Sequence, residues 1–222
     1  MQEKLGRYNP GMLAAFCCVM GLIAGAFANR VVHRLAGGQR VRRPVLEVAM
    51  GAVFGAVAWR TGPDWALAGF LLFTWTLVVV GIIDARTRRI PNRLTYPLTP
   101  ALLVLLTAAA IVNGQPHVAA RALLGGAGAF GALLIVALVS PRGMGMGDVK
   151  LAAFIGVGLG YLGWGELLVG MLGGFMLGGL VAVGLLVARL RHRADLMPFG
   201  PYLAAGALLA LLVGTRVAEA AR

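Results

Sequence analysis

The sequence predicts an all-α fold, a polytopic membrane bundle of about eight transmembrane helices that fills 1–222 as a single membrane-embedded domain with no soluble domain. Three observations predict it. Hydrophobic residues make up 59% of the chain and charged residues only 13%, where an ordinary globular chain is under half apolar and about a quarter charged. Mean hydropathy is +0.85, whereas disorder requires a chain too polar to bury a core. The apolar residues also fall into eight runs approaching the roughly 20 residues that a helix needs to cross a bilayer core.

The runs are about 11–29, 45–59, 65–83, 94–112, 122–140, 149–164, 167–188 and 199–215, the second and sixth being short. The first follows Lys4 and Arg7 and contains Ala26-Phe27-Ala28, a pattern that a signal peptide shares. Five arginines come next (Arg30, Arg34, Arg40, Arg42 and Arg43), and they favour retention of the run as a span. Its neighbouring Cys17 and Cys18 suit neither a disulfide nor a zinc site and read as small apolar residues. The second run carries Glu47 near its start, and the third ends in Val78-Val79-Val80-Gly81-Ile82-Ile83, directly before Asp84. Runs four and five bring the chain back to the membrane face where Asp148 opens the sixth. Small-xxx-small spacings at Gly21/Gly25, Gly51/Gly55, Gly156/Gly160 and Gly170/Gly174/Gly178 predict close helix crossings.

Charge orients the spans. Loops on one side hold fourteen of the twenty lysines and arginines, including Arg86, Arg88, Arg89, Arg93, Arg142, Lys150, Arg189, Arg191 and Arg193. The other side holds six: Lys4, Arg7, Arg60, Arg121, Arg216 and Arg222. The richer side is cytoplasmic by the positive-inside rule, which places both termini outside a plasma (inner) membrane. The pI of 11.3 therefore points to an anionic lipid surface and away from nucleic acid. Nothing in the sequence indicates an oligomeric state.

Only eight residues are acidic. Glu3 and Glu219 lie in the tails, Asp64 and Glu166 in expected outer loops as solvated boundary charges, and Asp195 in a basic loop. His33, His117 and His192 are scattered over loops with no metal-ligand spacing, and no metal site or disulfide is expected. Asp84 and Asp148 differ, because two crossings separate them and both therefore face the cytoplasmic edge. Asp148 could serve as a helix N-cap, and Asp84 could pair with Arg86 or Arg88. As a matched pair at membrane depth they suggest function, since ionisable groups there are costly. Two close carboxylates share one proton; the ionised one can take a proton from water while the other protonates a substrate carbonyl. Glycines around Asp148 would permit unusual backbone angles and leave room for a substrate backbone. Paired carboxylates also suit a carboxylate-dependent transporter, and an inactive scaffold would need neither.

Gly145-Met146-Gly147-Asp148-Val149-Lys150-Leu151 resembles the GxGD motif of the type IV prepilin peptidases, a family of membrane aspartic endopeptidases. Asp84-Ala85-Arg86-Thr87-Arg88-Arg89-Ile90-Pro91-Asn92 resembles the segment around that family's first catalytic aspartate. Gly25-Ala26-Phe27-Ala28-Asn29-Arg30, Arg43-Pro44-Val45-Leu46-Glu47 and Pro198-Phe199-Gly200-Pro201-Tyr202 match further stretches in order. The resemblance implies a peptidase core at about 65–190 with Asp84 and Asp148 as the catalytic pair. Gly145, Gly147, Lys150, Arg88, Arg89, Pro91 and Asn92 would be supporting motif residues, with Lys150 tuning the pair or holding a lipid phosphate. It implies a prepilin or pseudopilin substrate, whose short basic leader is removed at the cytoplasmic face without a cofactor. A related peptidase for archaeal preflagellin-like peptides would use the same chemistry. Bifunctional members also N-methylate the new terminus with S-adenosylmethionine, and carry a longer first loop, often with cysteine pairs. Here that loop is only about 30–44 and has no cysteine, so methyl transfer is not expected. Glu47 would pair with an arginine such as Arg43.

Overall fold

A computed structural model describes residues 9–38, 41–42, 44–140, 144–188 and 198–214. The readings on Glu3, Lys4, Arg7, Arg40, Arg43, Arg142, Arg189, Arg191, His192, Arg193, Asp195, Arg216, Glu219 and Arg222 fall outside the described residues.

Among the described residues the chain forms eight α-helices and no strands. They are α1 Pro10–Leu35, α2 Val45–Thr61, α3 Leu67–Thr87, α4 Asn92–Val112, α5 Pro116–Val139, α6 Met146–Leu162, α7 Trp164–Val187 and α8 Gly200–Val213. Each overlaps one expected run. Five of them (α1, α3, α4, α5 and α7) are long and apolar enough to cross a membrane. The other three run to 17, 17 and 14 residues. Of these, α6 has buried residues on every face from Val149 to Leu162, so it is surrounded by other helices.

Helix pairs form where the small residues line up. Gly21 and Gly25 of α1 lie against the α2 backbone, where a Cβ would come within 2.7 Å of Gly51 Cα or 2.6 Å of Glu47 Cα. Gly156 and Gly160 meet α5 at Gly125 and Arg121. Gly170, Gly174 and Gly178 meet α8 at Ala207, Leu203 and Tyr202. In lipid no hydrophobic force pulls helices together, so close backbone approach and dispersion must do so. The unpaired faces carry exposed Met12, Phe16, Val19 and Ile23 on α1 and Leu168, Leu172, Met176 and Leu180 on α7, as a lipid-facing surface requires.

The interior is organised by α3, of whose most apolar stretch 61% is buried, against 22% for α1 and for α7. Phe70, Phe73, Leu77 and Val80 pack with α6, α4 and α8, while Val79 and Ile83 pack with α1 and α2. Phe73 stacks on Phe154 at 5.4 Å, and Phe70 meets Tyr161 edge-on at 5.8 Å. Phe73 also lies over Gly158, where a Cβ would overlap the ring. These contacts pair earlier residues of α3 with later residues of α6, so the two helices are antiparallel. Asp84 follows Phe73 by eleven residues and Asp148 precedes Gly158 by ten, which is about 15 Å along each helix at 1.5 Å per residue. The aromatic register thus delivers both aspartates to one end of the bundle.

Candidate active site

Asp84 sits in the last turn of α3 and is 4% exposed. The helix ends at Arg88, whose φ of 54° is the left-handed value that usually falls to glycine, and whose N–H donates to Asp84 O at 2.8 Å. Arg88 is the only non-glycine residue with positive φ among the described residues, a conformation that costs on the order of 1 kcal/mol. It turns the chain sharply through Arg89 and Ile90 to Pro91, which is extended (ψ 121°) and caps α4. Pro91 has no N–H to lose at a helix start, so it stops one helix and starts the next.

Asp148 occupies the third position of α6, after Met146 and Gly147. The expected N-cap role belongs instead to Gly145, whose N–H donates to the Asp148 carboxylate. This is half of a capping box, with the acid placed one turn inside the helix. The two glycines do not supply unusual backbone angles. Gly145 is extended (φ −80°, ψ 148°), and neither it nor Gly147 has positive φ. Gly147 provides space: a Cβ there would stand 3.0 Å from Ile90 Cβ, so its absence lets the start of α6 approach the α3–α4 link.

That approach creates a cleft of about 330 Å³ lined by Asp84, Arg88, Arg89, Ile90, Asn92, Gly145, Met146, Gly147, Asp148 and Lys150. Asp84 and Asp148 share it and interact electrostatically. Of the nine residues singled out from the sequence, only Pro91 stands outside the lining. The carboxylates differ in their donors. Asp84 Oδ2 accepts a 2.9 Å bond from the Gly200 N–H, while Asp148 accepts from Gly145. Lys150 Nζ donates to Asn92 Oδ1 at 3.0 Å and lies 4.6 Å above the Tyr96 ring, tying α6 to α4. Tyr96 was not anticipated; its position one helical turn beyond Asn92 was the available signal.

Other expected positions resolve as architecture. Asn29 Nδ2 donates to Val41 O at 3.1 Å and to Glu47 Oε1 at 3.4 Å, and Asn29 Oδ1 accepts from Val41 N. Glu47 is thereby joined to the link between α1 and α2. Asp64 lies in the α2–α3 link as expected and Glu166 in the first turn of α7, and both are half-buried with partners. Asp64 caps Ala66 N at 2.7 Å and accepts both bonds from Asn113 Nδ2, and half-buried Glu166 opens α7 against Gly163 and Gly214. His33 and His117 lie on the last turn of α1 and the first turn of α5, not in loops. Cys17 and Cys18 are free thiols.

The model of the type IV leader peptidase family matches residues 71–183. Among curated proteins, the prepilin leader peptidase/N-methyltransferase of Aeromonas hydrophila is 33% identical over 184 residues, covering 79% of this chain and 60% of that protein. The protein of the same name from Pseudomonas aeruginosa is 31% identical over 177 residues, with the same coverage. That of Bacillus subtilis is 33% identical over 175 residues, covering 78% of this chain and 67% of that protein. The chain spans about 60% of the length of the first of these relatives. No solved structure matches it.

Proposed function

The chain belongs to the type IV leader peptidase family, and from that premise we propose that it is a membrane aspartic endopeptidase acting on type IV prepilins or pseudopilins. It removes the short basic leader at the cytoplasmic face. The observation that carries this reading is the shared cleft, which draws Asp84 from the end of α3 and Asp148 from the start of α6 into electrostatic contact.

The chemistry follows from two carboxylates holding one proton. The ionised carboxylate takes a proton from water as the oxygen bonds to the scissile carbonyl carbon. The protonated carboxyl gives its proton to the carbonyl oxygen, forming a neutral tetrahedral diol. On collapse the ionised carboxylate takes a proton from one diol hydroxyl, the C–N bond breaks and the other carboxyl protonates the departing amine. A carboxylic acid and an amine leave, and one proton again sits between Asp84 and Asp148.

The cytoplasmic assignment is supported by charge: the cleft lies at the end of the bundle where Arg86, Arg88, Arg89, Arg93 and Lys150 cluster. Anionic lipid at that face would recruit both this basic rim and a basic leader. Methyl transfer is left out of the proposal because α1 and α2 are joined by residues 36–44 alone, without a cysteine.

The test is incubation of the purified protein, in liposomes containing anionic lipid, with a prepilin, read by intact mass with and without S-adenosylmethionine. Leader loss without added methyl mass is expected. Asp84→Asn and Asp148→Asn should each abolish cleavage while still inserting. Cleavage at the wild-type rate by either variant would sink the assignment.

A further inference from the structure

The Pro198-Phe199-Gly200-Pro201-Tyr202 segment matches a motif but has no role in the chemistry above. Its backbone accounts for every donor at the start of α8. Tyr202 N and Leu203 N both bond to Phe199 O at 3.2 Å, Pro201 has no N–H, and Gly200 N donates to Asp84 Oδ2 at 2.9 Å. The one early N–H of α8 that its own helix cannot satisfy is therefore satisfied by a buried aspartate 116 residues away.

The contact leaves room for nothing but glycine. A Cβ at Gly200 would stand 2.7 Å from Asp84 Oδ2, 3.2 Å from its Cγ and 3.3 Å from its Cβ. The carboxylate could swing aside, but the Asp84 Cβ is fixed by the α3 backbone. The segment is itself held from behind. The Phe199 ring packs on Phe175 at 4.9 Å and lies over Gly178, where a Cβ would come within 2.7 Å of the ring.

We propose that Gly200 is a positioning residue for Asp84: its N–H and its missing side chain together set where the carboxylate points, so the 198–202 turn backs the Asp84 side of the cleft from outside its lining. The working peptidase unit then extends through α8, past the matched residues 71–183 and past a core ending near 190. The proposal rests on the peptidase reading, and its test separates the two.

Gly200→Ala should lower kcat for prepilin cleavage on the order of 10²-fold, the cost of misplacing a reacting group by about 1 Å, with KM within about twofold of wild type. Gly206→Ala is the control, since its Cβ would collide with the Gly174 backbone and not with the cleft. It should lower the melting temperature in detergent but keep wild-type kcat per folded molecule. An inactive Asp84→Asn beside a fully active Gly200→Ala would overturn the positioning role and leave the peptidase reading intact. A fully active Asp84→Asn would overturn both. If Gly200→Ala accumulates poorly, combining it with Asp84→Ala should raise accumulation again by removing the carboxylate, which makes the two closest contacts. Failure of that suppression, or a fall in kcat for Gly206→Ala as large as for Gly200→Ala, would overturn the proposal.

Discussion

At its N-terminal end α6 presents Asp148 and Lys150 to an open cleft; at its C-terminal end it is closed by a polar network in which each charged group has partners. Arg121 of α5 donates from Nε to Gly160 O at 2.9 Å and from Nη2 to Tyr161 O and Leu162 O at 2.6 and 3.0 Å. A cation there answers both the helix dipole and the last unpaired carbonyls. Asp64 is held by Ala66 N and by Asn113, which also bonds to the Tyr161 side chain. At the other end a second carboxylate, Asp84, stands close enough to Asp148 for the like charges to interact. A chain selected for stability alone would not juxtapose them. One end is arranged to hold α6 in place, and the other presents from that fixed placement the carboxylate pair to which the proposed function assigns the chemistry.

The sharpest way to break this contrast is to remove one charge at each end. Asp148→Asn should lower cleavage on the order of 10⁴-fold or more, as loss of a group acting within a catalytic unit does. Its melting temperature should not fall, because the substitution relieves repulsion and removes no packing. Arg121→Met should do the reverse, destabilising the protein by about 2–4 kcal/mol because three carbonyls lose their donor, with kcat per folded molecule unchanged. Parallel thermal melts and turnover measurements decide it. Both variants losing stability alike would show that the two ends do not differ in kind.

The contrast also explains which features could be read from sequence. The apolar runs place all eight helices, and the spacing of Gly170, Gly174 and Gly178 marks the α7–α8 crossing, because both signals are local and periodic. The meeting of the two aspartates is legible because the two helices between them, α4 and α5, return the chain to the same end of the bundle. Contacts across long separations leave no such trace. The Asp64–Asn113 pair spans 49 residues and the Gly200–Asp84 bond 116, so Asp64 reads as a solvated charge and Gly200 as part of a motif without a task. Gly147 is misread for a different reason. Glycine can mean backbone freedom or close approach, and only Ile90 against it shows which.

A smaller effect should come from the middle of α6, which connects the ends. Gly158→Ala would put a Cβ into the Phe73 ring, and overpacking of a buried site typically costs about 1–3 kcal/mol. Because this contact sets the α3–α6 register, the variant should lose activity as well as stability, unlike either end variant. Unchanged turnover in a destabilised Gly158→Ala would show that the cleft is positioned without the aromatic register.

The smallest expected effect belongs to the Lys150 contact, and it bears on what holds the open end together. The ammonium bonds to Asn92 and lies over the Tyr96 ring, both on α4. An exposed cation–π contact contributes about 0.5–1 kcal/mol, which corresponds to roughly a 2–5-fold change in an equilibrium or rate. Tyr96→Leu should therefore lower cleavage about 2–5-fold, while Tyr96→Phe, which keeps the ring face, should match wild type. Equal losses in the two variants would assign the effect to the hydroxyl and not to the ring. No loss in either would mean that Asn92 alone holds Lys150, and that α4 needs only one tether to α6 at the mouth of the cleft.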